Sequence, residues 1–433
     1  MSEIPNFEYV ANEYLARSHF QLSEPDLSFL LESAKKIEPL LPAQFVVAIP
    51  CHINDICFIP ELIGKLVEQK TRVCIFVNCL RGEVDNERFK EIVEGLEDYL
   101  KKAVSIPKDS VALISSNDEN RLSMGRIRAT LTDSILVASL NQKCKPWVVH
   151  IDADTLAIAD CFVSEVRRHG KDLRTYMVAA NICYGYDPGG QSYVGGGLDV
   201  PELFLANKVQ HAILECARLG KINYESRIWA EGAGFAFDLY AYCRVSGFDR
   251  ERESGEDDLF GFKIHKFGDV AFRVPIGAID SVDMEVKSNI SYAADAWLVT
   301  DPRRQLFSIY AGMGGTEAWD VAPFAEKAGF SMSSTDLAEA YSRASDRITV
   351  EKINAFLGGD KSIGDWVFHR SIKLIGRMIR ADIRVQNGRQ ANEVWETLGL
   401  ADLAERFRND DLDTRDIERL LRCLSPNLSL VGC

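Results

Sequence analysis

The chain has 433 residues, 46% hydrophobic and 26% charged, the balance of a globular protein able to bury a large core. Its formal net charge is -14 and its pI about 5.1. No bulk field therefore draws it to nucleic acid, and an anionic ligand has to be held by a local device such as a metal. No apolar run approaches the length of a membrane span, and Met1-Ser2-Glu3-Ile4-Pro5 lacks the basic and apolar segments of a leader. These features predict a soluble, cytoplasmic protein, long enough for one main domain with appendages.

Residues 1–42 carry spaced apolar side chains (Leu27, Leu30, Leu31, Ile37) that predict an amphipathic helical extension, punctuated by Pro42. An apolar strand, Phe45 to Pro50, comes next, then a short loop, Cys51-His52-Ile53-Asn54-Asp55. The pattern goes on with a helix over 59–69, a strand over 73–78, a helix over 86–102, a strand over 111–114 and a long helix over 125–140. This alternation predicts an α/β fold, Rossmann-like, with a mostly parallel mixed sheet flanked by helices. Neither G-x-G-x-x-G nor G-x-x-x-x-G-K-[ST] follows the first strand, which disfavours a dinucleotide fold and a P-loop. The eleven cysteines are scattered, many within apolar strands (Cys74, Cys79, Cys183), with no C-x-x-C pair. They read as small buried hydrophobes in a reducing compartment, and no zinc site is supported.

Trp147-Val148-Val149-His150-Ile151 is a buried-strand pattern that ends in Asp152-Ala153-Asp154-Thr155. Unpaired carboxylates cannot enter a core without a cost of several kcal/mol. Both acids are therefore expected at the strand's C-terminal edge, where an open α/β sheet has its ligand crevice. Two hard oxygen donors there suit a divalent cation that also holds a phosphate oxygen. Two other readings stay open at this point. Asp154 before Thr155 has the form of a helix cap, and D-x-D-x-T is a phosphatase pattern, although Thr155 stands one place too early for it.

Downstream, Asp187-Pro188-Gly189-Gly190 and Gly195-Gly196-Gly197 bracket a loop too glycine-rich for regular structure, either a lid or a plain connection. Gly255-Glu256-Asp257-Asp258-Leu259 reads as a helix N-terminus or as a second functional acid cluster. After about residue 330 the sequence turns to successive amphipathic helices, so a C-terminal helical region, 311–433, is expected. There Lys373, Arg377, Arg380 and Arg384 share one helical face, which fits either solvent or an anionic membrane surface. A homo-oligomer is compatible with this composition.

Taken in order, these stretches resemble the family 2 nucleotide-sugar glycosyltransferases of the GT-A fold over 43–310. The residues that carry the likeness are Ala48-Ile49-Pro50-Cys51-His52-Ile53-Asn54, Gln69, and Asp152-Ala153-Asp154 as the D-x-D. They continue with Ala233-Gly234-Phe235-Ala236-Phe237 leading to Ser246-Gly247-Phe248-Asp249, then Glu256-Asp257 as the E-D motif with Lys263, and Asp301-Pro302-Arg303-Arg304.

The resemblance implies a metal-dependent transfer of a sugar from a nucleotide diphosphate sugar, UDP most commonly, to a hydroxyl acceptor. It implies Mn2+ or Mg2+ on Asp154 and Asp152, with Asp280 standing where many members have a histidine ligand. Asp257 would be the general base, beside Glu256 as a like charge that raises its pKa. Donor contacts would come from Pro50, Asn54, Asn78, Asp118, Arg126, Asp152 and Ala153, and acceptor contacts from Gly232, Ala233 and Gly234. His52 is expected only to pack. Inversion is the expected stereochemistry; retaining GT-A enzymes and a non-catalytic scaffold are the alternatives.

Overall fold

A computed structural model describes residues 6–80, 84–103, 106–107, 109–118, 123–171, 175–193, 226–227, 232–252, 255–265 and 289–301. The chain divides into two compact units: Met1–Ile182 with Glu225–Arg273 and Ser288–Thr300, and Cys183–Tyr224 with Val274–Lys287 and Asp301–Cys433. Asp280, the triple glycine at 195–197 and the basic helical face at 373–384 lie outside the described residues.

Helices α1 (Phe7–Phe20) and α2 (Glu24–Ile37) open the first unit. Ser23 caps α2 by accepting from the Asp26 amide, and Pro25 sits in the first turn, where its missing N–H costs nothing. Then β1 (Phe45–His52), α3 (Ile59–Glu68), β2 (Arg72–Leu80), α4 (Asn86–Lys102), β3 (Val111–Asp118), α5 (Met124–Asn141) and β4 (Trp147–Ile151) alternate as the periodicity predicts. After β4 come β5 (Thr155–Ile158), α6 (Phe162–Gly170), β6 (Met177–Tyr184), β7 (Ser226–Arg227) and β8 (Gly234–Asp238). Two further helices, α7 (Leu239–Arg244) and α8 (Glu256–His265), and the long strand β9 (Ile290–Thr300) complete the described elements.

One sheet runs in the order β3-β2-β1-β4-β8-β6-β9-β5, with β7 on β9. Its first half is parallel, β3 on β2, β2 on β1 and β1 on β4. From β8 onward β4 on β8, β6 on β8, β7 on β9 and β5 on β9 are antiparallel. This is the mixed α/β architecture that the GT-A resemblance implies, although the parallel character is confined to one half. Strand β1 is buried from Phe45 to Cys51. A central strand covered by helices on both faces needs such a continuous apolar run.

The helices expected within residues 1–42 pack into the main core. Val10, Ala11, Leu15, Ala34 and Ile37 share one apolar cluster with Val46 and Ala48 of β1 and Ile135 of α5. Each fully buried Val, Leu or Ile among them contributes about 1.5–3 kcal/mol. As a result α5 is enclosed on most of its circumference, and even Arg128, Thr132, Asp133 and Ser134 are buried. Among the described residues no helix is long and apolar enough to cross a membrane.

In the second unit, residues 185–193 form a tight turn after β6. The Asp187 Oδ1 accepts from the amides of Gly189 (2.8 Å) and Gln191 (3.0 Å), and Tyr186 bridges Ser192. The first half of the glycine-rich loop is thus ordered by an aspartate turn.

Candidate active site

The sheet order puts the expected crevice where β1 and β4 part. Their ladder extends from Phe45↔Trp147 to Ala48↔His150 and ends two residues before Pro50, which has no N–H to offer a ladder. Asn78 ties the C-terminal ends of β1 and β2 together, its side-chain amide donating to the Cys51 carbonyl at 3.1 Å. His52 does more than pack. Its Nδ1 accepts from the Asn54 amide at 3.3 Å and caps the short 3-10 turn Ile53–Phe58.

Asp152, Ala153 and Asp154 fill the gap between β4 and β5, at the strand's C-terminal edge as expected. Asp154 caps no helix, because Thr155 opens β5, an antiparallel partner of β9. The Asp154 carboxylate is buried, and its Oδ1 accepts from the Thr300 hydroxyl at 3.1 Å. Asp152 is more open, 23% exposed at the side chain, and its Oδ1 is held at 2.8 Å by Nη2 of Arg128.

Arg128 organises the site. From the buried face of α5 its Nε reaches Glu256 Oε1 at 2.8 Å, and Nη2 also donates to the Gly232 carbonyl at 2.8 Å. Its Nη1 lies 3.2 Å from Nδ1 of His150. A guanidinium can only donate, so Nδ1 accepts, and the imidazole carries its proton on Nε2, 2.9 Å from the Thr132 hydroxyl. Burial, then the Arg128 charge, hold the His150 pKa well below its ordinary value, so the ring is neutral. It stacks on Phe235 and Phe237, which face it across the β4–β8 ladder. One buried histidine thus orients the arginine that collects carboxylates from two separate segments.

Those carboxylates outnumber it. Glu256, Asp257 and Asp258 occupy the first turn of α8, so the helix-start reading and the functional reading of this cluster hold together. Glu256 is buried, and desolvation, followed by the Asp257 charge, pushes its pKa up to about 7 against the pull of Arg128. Desolvation also raises Asp257, with Asp152 adding to it and Arg128 opposing. Glu256 and Asp257 repel each other as neighbouring like charges, and Asp152 adds to the pressure on Asp257. Asp257 remains partly exposed. Gly232 is a glycine for want of space: a Cβ there would meet Arg128 Nη2 at 2.7 Å and Asp257 Oδ2 at 2.8 Å. The 232–234 segment, Asp257 and Asp152 thus lie around one point.

Other anticipated residues are placed differently. Arg126 turns toward α2 and pairs with Asp26 at 2.6 Å, while Arg128 is the cation at the acids. Residues two apart on a helix face away from each other. Asn54 is exposed beyond β1, and Asp118 ends β3 opposite Leu80 at the same sheet edge. Lys263 donates to the Gly247 carbonyl at 3.1 Å, closing the turn after α7.

No protein-family model matches the chain, and no curated protein matches it. Solved structures do. A mannosyltransferase from Pyrobaculum calidifontis, in complex with GDP-Man and Mn2+, aligns over 97% of both chains at 13% identity and a TM-score of 0.36. A mycobacterial protein aligns over 64% of this chain and 77% of its own, at 13% identity and a TM-score of 0.31. Both likenesses are remote, and the geometry above stands without them.

Among the described residues no group of three His, Cys, Asp or Glu side chains forms a metal cage. A magnesium-like ion does not require one, because it commonly takes one or two carboxylates and completes its shell with water and substrate phosphates. Asp152 and Asp154, oxygen donors at the crevice edge, fit that mode in kind. Arg128 and His150 were not singled out by pattern. The available signal was an arginine and a histidine placed on the buried faces of α5 and β4, just ahead of the acids.

Proposed function

We propose that this chain is a metal-dependent glycosyltransferase, moving a sugar from a nucleotide diphosphate sugar to a hydroxyl acceptor. One observation carries the reading: the Asp152–Asp154 segment, Glu256-Asp257 and the Gly232 backbone meet at the crevice of an α/β sheet, joined through Arg128. Glycosyl transfer needs two things there. Negative charge on the departing diphosphate must be met by cations, and a proton must leave the acceptor hydroxyl as it attacks.

Asp257 suits the second task. It is partly exposed, beside the Gly232 backbone, and its pKa is raised from the ordinary aspartate value by burial, in the direction that favours a base. Glu256, buried and tied to Arg128, holds that arginine in place and is not the base. Asp152 and Asp154 would hold Mn2+ or Mg2+, which when bound supplies a Lewis acid for the diphosphate. Pro50, Asn54 and Asp118 stand at the strand ends where the nucleotide would lie, with UDP as the proposed nucleotide and inversion as the proposed course.

Release of nucleoside diphosphate across UDP- and GDP-sugars, with and without Mn2+, tests the reading. Turnover with at least one donor, dependent on the metal and lost in Asp154→Asn, is expected. Equal release by wild type and Asp154→Asn sinks it. Proton NMR of the first-formed linkage reads the stereochemistry.

A further inference from the structure

A second ionic cluster lies farther along α5. The Asp133 carboxylate is fully buried and gathers four side chains from three other segments. Tyr14 of α1 donates to Oδ1 at 2.9 Å, and Tyr242 of α7 does the same at 2.9 Å. Ser18 of α1 donates to Oδ2 at 3.3 Å, and Arg250 Nη2 completes the set on Oδ2. Arg250 Nη1 also reaches the Thr130 hydroxyl at 3.3 Å.

Arg250 belongs to the turn that follows Gly247-Phe248-Asp249, six residues before Glu256. The same turn is fastened to the start of α5 at two more points. Ser123, the cap of α5, donates its hydroxyl to the Arg250 carbonyl, and the Gly125 amide donates to the Arg252 carbonyl at 3.0 Å. The contact is so close that a Cβ on Gly125 would lie 1.9 Å from the Asp249 carbonyl oxygen. One turn farther along α5, Arg128 takes Glu256. Helix α5 therefore holds the 247–252 turn at its start and at Asp133, and the first turn of α8 between them.

We propose that Asp133 and Arg250 form a clamp that positions the Glu256-Asp257 turn against Arg128, with α1 closing the clamp through Tyr14 and Ser18. Arg250 is a positioning residue. It acts on the acids through the turn and touches no reacting atom. The claim that this placement sets turnover rests on the glycosyl-transfer reading; the claim that it sets the turn does not.

Hydrogen exchange and kinetics on the full chain test the two claims separately, using Arg250→Met, Arg250→Lys and the double variant Asp133→Asn/Arg250→Met. In Arg250→Met, amides of 247–252 and 255–259 should exchange at least about tenfold faster, while those of β1 and β2 keep wild-type rates. With whichever UDP- or GDP-sugar turns over in wild type, kcat should fall at least about tenfold and donor KM change less than about threefold. Arg250→Lys, which keeps the charge, should recover most of both. The double variant, free of the stranded carboxylate, should restore folding stability but not the slow exchange of the turn. Wild-type exchange in the turn, or acceleration that includes β1 and β2, overturns the clamp. Parallel losses in donor binding and kcat overturn its bearing on catalysis. A wild type silent toward every donor counts against glycosyl transfer, and the exchange result still decides the clamp.

Discussion

Helix α5 carries two buried arginine–carboxylate clusters, and they are built on opposite principles. At Asp133 one carboxylate meets one arginine, two phenols and a hydroxyl, so charge is balanced and its partners are side chains from other segments of the same core. At Arg128 one cation faces Asp152, Glu256 and Asp257, and the surplus is negative. Burial lowers the arginine's pKa, but those three acids outweigh it and the net shift is upward. Balanced ionic networks rigidify a core, whereas a cluster left with surplus acid on the open side of a sheet keeps groups ready to take a cation or a proton. Arg250 has only 13% of its side chain exposed and Asp133 none, whereas Asp152 keeps 23%. Surplus charge and residual exposure, more than burial, separate the site from its support.

The sharpest way to break this contrast is to remove each cation. Arg128→Met strands Asp152 and Glu256, and Arg250→Met strands Asp133; each should cost on the order of 3–5 kcal/mol of unfolding free energy in urea. The two should then diverge with pH. Glu256 can shed its charge by protonation near neutrality, so the penalty for Arg128→Met should shrink at pH 5.5 relative to pH 8. An Arg128→Met penalty that stays flat across that range would put Glu256 in the balanced class. Next in size is chemistry. Asp257→Asn and Asp154→Asn should each lower donor turnover about a hundredfold, or about 2.7 kcal/mol on the barrier, with unfolding midpoints close to wild type. Retained turnover in both would make the surplus acids structural.

Much of this arrangement was legible in the sequence. The alternation from Phe45 to Ile151 gave the parallel half of the sheet, and the boundaries of α4, Asn86 to Lys102, came directly from its periodicity. The acids at 152 and 154 stood out because bare carboxylates at the end of an apolar run demand a reason, whereas Glu256 and Asp257 were picked from a possible helix start only through the family resemblance. Strand β3 was read four residues short, since Ser115-Ser116-Asn117-Asp118 is polar and only its parallel partner β2 keeps it extended. Strand β9 was missed because Ala293-Ala294-Asp295-Ala296 breaks the two-residue alternation. The roles of Arg128 and Asp133 were hidden for a different reason. Polar residues on a helix are normally on its wet side, and nothing local says that α1 and α2 cover that side of α5. Which residues pair across more than a hundred positions is a tertiary fact that spacing cannot encode.

A smaller and signed effect tests the surplus cluster at equilibrium. The Glu256 pKa rises from an ordinary 4.5 to about 7 on folding, so the folded state holds that proton where the unfolded chain has lost it. Asp257 moves in the same direction. Stability from this source is therefore present below about pH 4.5 and declines as pH rises toward 7, at no more than about 1.4 kcal/mol per pH unit for one proton. His150, held neutral by burial, works in the opposite sense as pH rises toward its unfolded value. The informative quantity is consequently the difference between wild type and Glu256→Gln. The unfolding free energy of wild type minus that of the variant should fall between pH 5 and pH 7.5. A difference that rises over this interval would mean that Arg128 outweighs burial at Glu256.

The mildest test lies in the balanced cluster. Tyr14→Phe removes one hydroxyl, 2.9 Å from Asp133 Oδ1, and leaves Tyr242 on the same oxygen with Arg250 and Ser18 on the other. A hydrogen bond to a charged group is worth about 1.5–3 kcal/mol when nothing replaces it. With Tyr242 still donating, the cost should be near about 1 kcal/mol. Ser18→Ala, whose contact is longer at 3.3 Å, should cost less again. Donor KM should stay at its wild-type value in both, because α1 supports the turn and not the crevice. Losses of several kcal/mol from either hydroxyl would show that Asp133 has no spare donors, and that its cluster is as finely poised as the one at Arg128.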